Sequence, residues 1–209
     1  MNERLDRQLP YATHRWPDRV CLPLTFDPTG AVADLAAFAA TDWRHHFVAQ
    51  NYEGEWEVLP LRAKVGATHP VAMIYSDPVA VDYVDTPYLE RAPHLRAIIA
   101  RFACTVLSTR LMRLTPGSTI LEHKDHDLDA TLGRARLHVP LTTNDDVVFL
   151  LNHVAVDMAP GSVWYLRLAD PHSVHNGGTT DRVHLVIDVL VNDWVVAQLD
   201  AGVRTEVAA

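Results

Sequence analysis

Between Thr105 and Val191 the chain switches between apolar and polar residues in short runs bounded by turn formers. The runs Val106 to Leu114, Thr119 to Leu121, Arg136 to Leu141, Val147 to Leu151, Val154 to Met158, Val163 to Leu168 and Val183 to Val191 read as strands. Pro116-Gly117, Asn144-Asp145 and Pro160-Gly161 punctuate them as tight turns. Strands this closely spaced predict a mainly β sandwich or barrel, here a β-jelly-roll core over 104–195. The first 103 residues are mixed and form its support. Asp27-Pro28-Thr29-Gly30 starts a helix over Ala31 to Ala40, with Leu35 and Phe38 as its apolar stripe, and Trp56 to Leu61 is strand-like. Thr86-Pro87 opens a second helix through Leu89, Leu95, Ile98, Ile99 and Phe102. Both helices are expected to pack outside the β core. From Gly66 to Pro87 no period is visible, which predicts a long ordered loop, a place to look for a lid carrying Tyr75, Tyr83 and Tyr88.

Two of the strands separate charge from apolar surface with period two. In Arg134-Ala135-Arg136-Leu137-His138-Val139-Pro140-Leu141 the charged residues occupy even positions and the aliphatic ones odd positions. Arg182, His184 and Asp188 oppose Val183, Leu185, Ile187 and Val189 in the same way. A single strand of this kind is usually solvent-faced. Two of them suggest a pocket that gathers positive charge for an anion, and a dicarboxylate suits it. If Arg182 is enclosed it predicts a ligand, because an unpartnered buried charge costs several kcal/mol.

Composition narrows the classes. The 209 residues are 48% apolar and 21% charged, a globular balance consistent with one domain over 1–209. A net charge of −8 opposes generic nucleic-acid binding. Cys21 and Cys104 lack metal or redox spacing, so both are expected reduced, with at least one buried. Met1 to Arg7 is charged where a signal peptide needs an apolar run, and no stretch approaches about 18 consecutive apolar residues, so a cytoplasmic protein without a membrane segment is expected.

His123-Lys124-Asp125 is the strongest candidate for chemistry. Two apart on an extended chain, His123 and Asp125 share a face with Cα atoms roughly 6.5–7 Å apart, so their side chains can converge on one ion. A remote histidine would complete the two-histidine, one-carboxylate facial triad that holds Fe(II) with open positions opposite. His172, in Asp170-Pro171-His172-Ser173-Val174-His175, is the choice, and His175 its rival. Asp125, Asp127 and Asp129 also begin a calcium-loop pattern, but Ala130 stands where glycine is needed and Arg136 where a bidentate glutamate is needed.

These features resemble the aspartyl/asparaginyl β-hydroxylase family of Fe(II)- and 2-oxoglutarate-dependent dioxygenases. The resemblance runs from Arg110 to Trp194. It rests on Pro116-Gly117 before His123, the Arg134-x-Arg136-x-His138 strand, Pro160-Gly161 before an apolar strand, and Arg182-x-x-Leu185-x-x-Asp188 beginning ten residues after His172. It implies a double-stranded β-helix, the cupin-like jelly roll, with iron on His123, Asp125 and His172. It further implies a 2-oxoglutarate carboxylate on Arg182, cosubstrate contacts from Arg136 and His138, and Arg134 facing a substrate carboxylate. Family members often carry serine or tyrosine on the strand before Pro116-Gly117. This chain has Arg110 and Arg113 there, expected to substitute or to bind substrate. The retained Asp125 is more similar to bacterial amino-acid hydroxylases such as the cis-proline hydroxylases and argues against halogenation.

The implied reaction consumes O₂ and 2-oxoglutarate, releases succinate and CO₂, and hydroxylates a C–H bond of an amino acid, an amino-acid derivative or a peptidyl residue. A non-oxidative cupin-like metal or small-acid binding protein is the competing expectation. A zinc hydrolase would explain the His/Asp set but not Arg182 at its spacing.

Overall fold

The computed structural model describes residues 14–75, 77 and 79–208, with side chains as far as 205; the Met1 to Arg7 segment lies outside them. The strands are β1 (Arg19–Thr25), β2 (Arg44–His45), β3 (Tyr52–Glu53), β4 (Trp56–Lys64), β5 (Tyr83–Asp85), β6 (Val106–Leu114), β7 (Thr119–His123), β8 (Arg134–Thr142), β9 (Val147–Leu151), β10 (Val154–Ala155), β11 (Ser162–Leu166), β12 (His172–Asn176) and β13 (Arg182–Leu190). The α-helices are α1 (Thr29–Asp34), α2 (Pro70–Ile74), α3 (Pro87–Glu90), α4 (Pro93–Ile99) and α5 (Asp193–Ala208).

Two antiparallel sheets result. The larger runs β1-β11-β8-β13-β6-β4-β2, with β5 on β4, and the smaller runs β10-β9-β12-β7-β3. This is the jelly-roll arrangement the strand pattern predicts. The period-two segregation on β8 and β13 defines its interior. Ala135, Leu137, Val139, Val183, Leu185, Ile187 and Val189 form the outer core with Ala31, Leu89, Leu95, Ile98, Val195 and Leu199 from the helices. Val186, on the opposite face of β13, packs instead with Ile120, Phe149, Leu151 and Val174 of the smaller sheet. The polar side of β13 is therefore not a solvent face: every residue from Arg182 to Val189 is buried.

Several local expectations are corrected. The helix predicted from Pro87 to Phe102 is broken between α3 and α4. Pro93 cannot donate a backbone hydrogen bond and disfavours a helical residue before it, and Ala92 sits at φ −127°, ψ 72°. The Ala31 to Ala40 helix reduces to α1 and a 3₁₀ turn over Leu35–Ala37, ending where Phe38 becomes extended. Within the predicted Gly66 to Pro87 loop lie α2 and β5. Tyr83 is buried on β5, and Tyr88 on α3 meets Phe38 edge-on at 6.3 Å. Neither Cys21 nor Cys104 is fully buried, against the expectation that at least one would be; partial burial still pushes the Cys104 thiol up to about 11. No helix among the described residues is long and apolar enough to cross a membrane.

α5, unpredicted, closes the outer layer over β1. Val195 and Leu199 are buried, and a Cβ on Gly202 would come within 2.4 Å of the Cys21 carbonyl, so the helix can approach that strand only through glycine. Gly161 plays a second close-approach role. Its carbonyl accepts from the Phe26 N–H at 2.9 Å, and its N–H donates to the Pro140 carbonyl at 2.8 Å. Its φ is +81°, and a Cβ there would lie 2.0 Å from the Phe26 oxygen.

Gly117 has a similar φ of +75° but nothing within 4 Å of an added Cβ. Gly117→Ala should therefore cost only the conformational strain, about 1 kcal/mol, whereas Gly161→Ala should cost clearly more by forcing β11 away from Phe26. Urea unfolding midpoints of the two variants check this; equal shifts would show that the tight backbone contact carries no weight.

Candidate metal centre

The three proposed ligand residues meet. His123 closes β7, His172 opens β12, and the two are direct partners in the antiparallel register. Asp125 follows in the turn after β7, where its N–H donates to the Leu168 carbonyl at 2.8 Å and its carbonyl accepts from Leu128 at 3.0 Å. One ligand atom from each of His123, Asp125 and His172 lies within 4.8 Å of the other two.

The backbone settles which imidazole nitrogens are available. Nδ1 of His123 is 2.8 Å from the Leu121 carbonyl, and Nδ1 of His172 is 3.0 Å from the Asp170 carbonyl. A carbonyl only accepts, so both Nδ1 atoms carry hydrogen and both Nε2 lone pairs are left for an ion. Burial holds His172 down to about 4, so it is a neutral imidazole at ordinary pH, as a metal ligand must be. Two imidazoles and one carboxylate fit a divalent transition ion and leave room for exogenous ligands. His175 does not compete. Three positions along β12 it faces the other way, is exposed, and has its Nδ1 2.9 Å from Thr119 Oγ1.

Behind the carboxylate lies a buried ion network. Nη1 of Arg136 donates to Asp125 Oδ2 at 2.7 Å, while its Nε and Nη2 donate to the two oxygens of Asp188 at 2.6 and 3.0 Å. Arg110 donates to the same Asp188 and, through Nη1, to the Ile74 carbonyl. Burial pulls both guanidiniums toward neutrality. It prevails for Arg110, but Asp188 and Asp125 together hold Arg136 above its usual range. The fork of Arg136 thus fixes one oxygen of Asp125 and leaves the other for an ion.

Arg182 differs from these. It is 2% exposed, and among the described residues no carboxylate pairs with it. Its Nη2 reaches His184 Nδ1 at 3.0 Å, its Nε has no partner, and its guanidinium carbon lies 5.8 Å from the Phe149 ring centroid. Desolvation alone lowers it to about 9. His138 Nε2 is likewise buried without a partner. Arg182, His138, Arg136 and the three ligand residues all line one cavity of about 300 Å³.

The other arginines divide. Arg134 lines the cavity, but its guanidinium donates to the Asp77 and Ala80 carbonyls at 3.3 and 3.0 Å, tying the segment after α2 to β8. Arg110 lines it as well, already engaged by Asp188. Arg113 stands apart from the cavity. It has the opposite strand parity, lies outside the cavity lining, donates to Glu57 at 2.7 Å and stacks over Trp43 at 4.2 Å. Of the three tyrosines named with the Gly66 to Pro87 region, Tyr75 lines the cavity and Tyr83 and Tyr88 do not.

Residues of the N-terminal half complete the wall without having been foreseen. His46 stacks on Trp56 at 3.7 Å between ring centroids and 12° between planes, and burial, helped by Arg110 and Arg136, holds it down to about 3. Phe47 stacks on His46 at 4.8 Å and meets Tyr75 at 6.2 Å. In the sequence only the aromatic cluster hints at them.

Comparison with known proteins agrees with this geometry. The chain is 30% identical over 166 residues to the L-proline cis-4-hydroxylase of Rhizobium meliloti, covering 78% of this chain and 57% of that protein. It is 25% identical over 168 residues to L-proline cis-3-hydroxylase 2 of a Streptomyces species, covering 79% and 57%. The chain thus spans little more than half the length of these curated relatives. Its fold is similar to that of a Pseudomonas putida prolyl-4-hydroxylase, with a TM-score of 0.50 and 12% identity over 87% of this chain and 95% of that one. The sequence profile described as Aspartyl/Asparaginyl beta-hydroxylase matches residues 32–191, and with a double-stranded β-helix presenting two histidines and an aspartate inward, the chain belongs to that family.

Proposed function

We propose that the chain is an Fe(II)- and 2-oxoglutarate-dependent dioxygenase that hydroxylates a C–H bond of an amino acid or an amino-acid-derived substrate. The observation that carries this reading is the pairing, inside one cavity, of an ion-binding triad with an enclosed guanidinium that lacks a carboxylate. A metal-binding hydrolase would use the first and leave the second unexplained.

His123, Asp125 and His172 would hold the iron, whose chemistry with O₂ and 2-oxoglutarate supplies an oxygen atom for the C–H bond as the keto acid becomes succinate and CO₂. The chain's own work is placement. Arg136 orients Asp125, and the Leu121 and Asp170 carbonyls orient the imidazoles. Arg182 receives the distal carboxylate of the cosubstrate through charge-assisted hydrogen bonds, and Phe149, stacked near His172 at 6.3 Å, keeps that end dry. The substrate enters beneath His46, Phe47 and Tyr75. The two relatives act on L-proline, which supports a small amino acid here, free or within a larger molecule. Arg134, held by the carbonyls beyond α2, would meet a substrate carboxylate only by giving up those contacts, so its engagement by substrate would release that segment from β8.

A succinate-release screen over amino acids, L-proline included, followed by detection of one added oxygen by mass, tests the proposal; no succinate above background with any of them would end it. His123→Ala or His172→Ala should lose turnover while retaining the fold, and should lower metal affinity by more than the about 10–100-fold that removal of an outer-shell partner costs. Unchanged succinate formation in either variant would remove the ligand assignment.

Arg182→Met should move two quantities in opposite directions. Loss of the charge-assisted bonds, about 1.5–3 kcal/mol, raises the apparent KM for 2-oxoglutarate by roughly 10–150-fold. Removal of an uncompensated buried charge raises the ligand-free protein's resistance to urea. A variant that binds 2-oxoglutarate normally, or is less stable than the parent, would place the anchor elsewhere.

A further inference from the structure

The far end of the cavity contains a hydrogen-bond chain that neither the ion site nor a simple carboxylate anchor requires. Arg182 and His184 lie two residues apart on the inward face of β13, and His138 lies opposite on β8, where it is the register partner of Val186. A guanidinium can only donate, so the 3.0 Å contact from Arg182 Nη2 makes Nδ1 of His184 an acceptor. The same Nδ1 is 3.4 Å from Nδ1 of His138. Two lone pairs facing each other at that distance repel, so the hydrogen between them belongs to His138. His138 therefore carries its proton on Nδ1 and presents a bare lone pair at Nε2.

That Nε2 is buried without a partner, and so is Nε of Arg182. The two orphans have opposite polarity: one accepts and one donates. A carboxylate satisfies only the donor, and its oxygen is repelled by the imidazole lone pair unless a proton lies between them.

We propose that His184 is a positioning residue whose Nδ1 both anchors Arg182 and fixes the tautomer of His138, so that the distal carboxylate of 2-oxoglutarate is bound together with one proton taken up on His138 Nε2. This rests on the 2-oxoglutarate reading above. The balance is simple: a solvent proton moves to Nε2, the resulting N–H donates to a carboxylate oxygen, and no covalent bond to carbon changes. The charged and titratable groups facing His138 are Arg182, His184 and Asp188 from β13, Arg136 from its own strand and His172 from β12. Burial, then Arg182 and Arg136, keep His138 well below the usual imidazole range, and burial, then Arg182, does the same for His184, so both are neutral before the ligand arrives. A dianion seated against Arg182 reverses that field and favours the imidazolium.

Two measurements test this. In long-range proton–nitrogen NMR spectra of the ligand-free full chain, His138 should appear as the Nδ1–H tautomer and His184 as the Nε2–H tautomer; an Nε2–H signal on His138 overturns the proposal without any variant. Calorimetric titration of 2-oxoglutarate into the Zn(II)-loaded chain, in buffers of different ionisation enthalpy, counts protons. The ion site is common to the parent and its variants, so its own protons cancel in the difference. His184→Leu should bind about tenfold or more weakly and take up about one proton fewer than the parent, because His138 is then free to hold its hydrogen on Nε2. His184→Asn, which can return an acceptor oxygen near the Nδ1 position, should recover most of both. Equal proton counts or equal affinities in parent and His184→Leu overturn the proposal alone, whereas a parent that binds no 2-oxoglutarate overturns the underlying reading and this inference with it.

Discussion

Asp188 accepts hydrogen bonds from guanidiniums on both neighbouring strands, Arg136 on β8 and Arg110 on β6, and the interior of the barrel is organised around it. One carboxylate between two cations leaves a positive charge unanswered in a low-dielectric space, and Asp125 answers it across Arg136. The carboxylate offered to an ion is therefore part of a structural network that, among the described residues, joins Arg110 and Arg136 to Asp125 and Asp188. Breaking any member strands the others, which is why buried polar networks of this kind tolerate few partial arrangements.

Period-two strand geometry delivers these groups to one place. β13 lies between β8 and β6, with Asp188 the direct partner of Arg136. Because alternate residues face opposite sides, the same strands that send Arg136, Arg182 and Asp188 inward send Leu137, Leu185 and Ile187 outward beneath the helices. Burial of the outer face stabilises the sheet strongly enough to tolerate an inner face of charges, one of which, Arg182, has no carboxylate partner among the described residues.

This division was legible in the sequence because it follows from local alternation. The convergence of His123, Asp125 and His172 was legible for a related reason, the short spacing of the first two. What escaped was whatever depends on pairing between distant strands. Arg110, expected to contact cosubstrate or substrate, is already engaged by Asp188, a partner 78 residues away that local spacing does not reveal. Arg113 could have been excluded from the alternation on β6, since it stands three positions from Arg110. β12, with its His-Ser-Val-His-Asn composition, carries little β signal and owes its form to ladders on both sides. The terminal helix α5 left only the sparse trace of Val195, Leu199 and Gly202. His46 and Trp56, brought to the cavity wall by β4 and the segment before it, lie far along the chain from the ligand residues, with only nearby aromatic residues to mark them.

The register that makes His123 and His172 direct partners has one further effect. The two imidazoles stand across one rung of the ladder, so the backbone positions that carry them cannot change their separation without sliding a strand. Asp125, by contrast, sits on a turn and pivots on a single guanidinium. With an ion bound, differences in ionic radius would be absorbed more readily by rotation of that carboxylate, which would give the Asp125–Arg136 pair the larger share in discriminating among divalent ions.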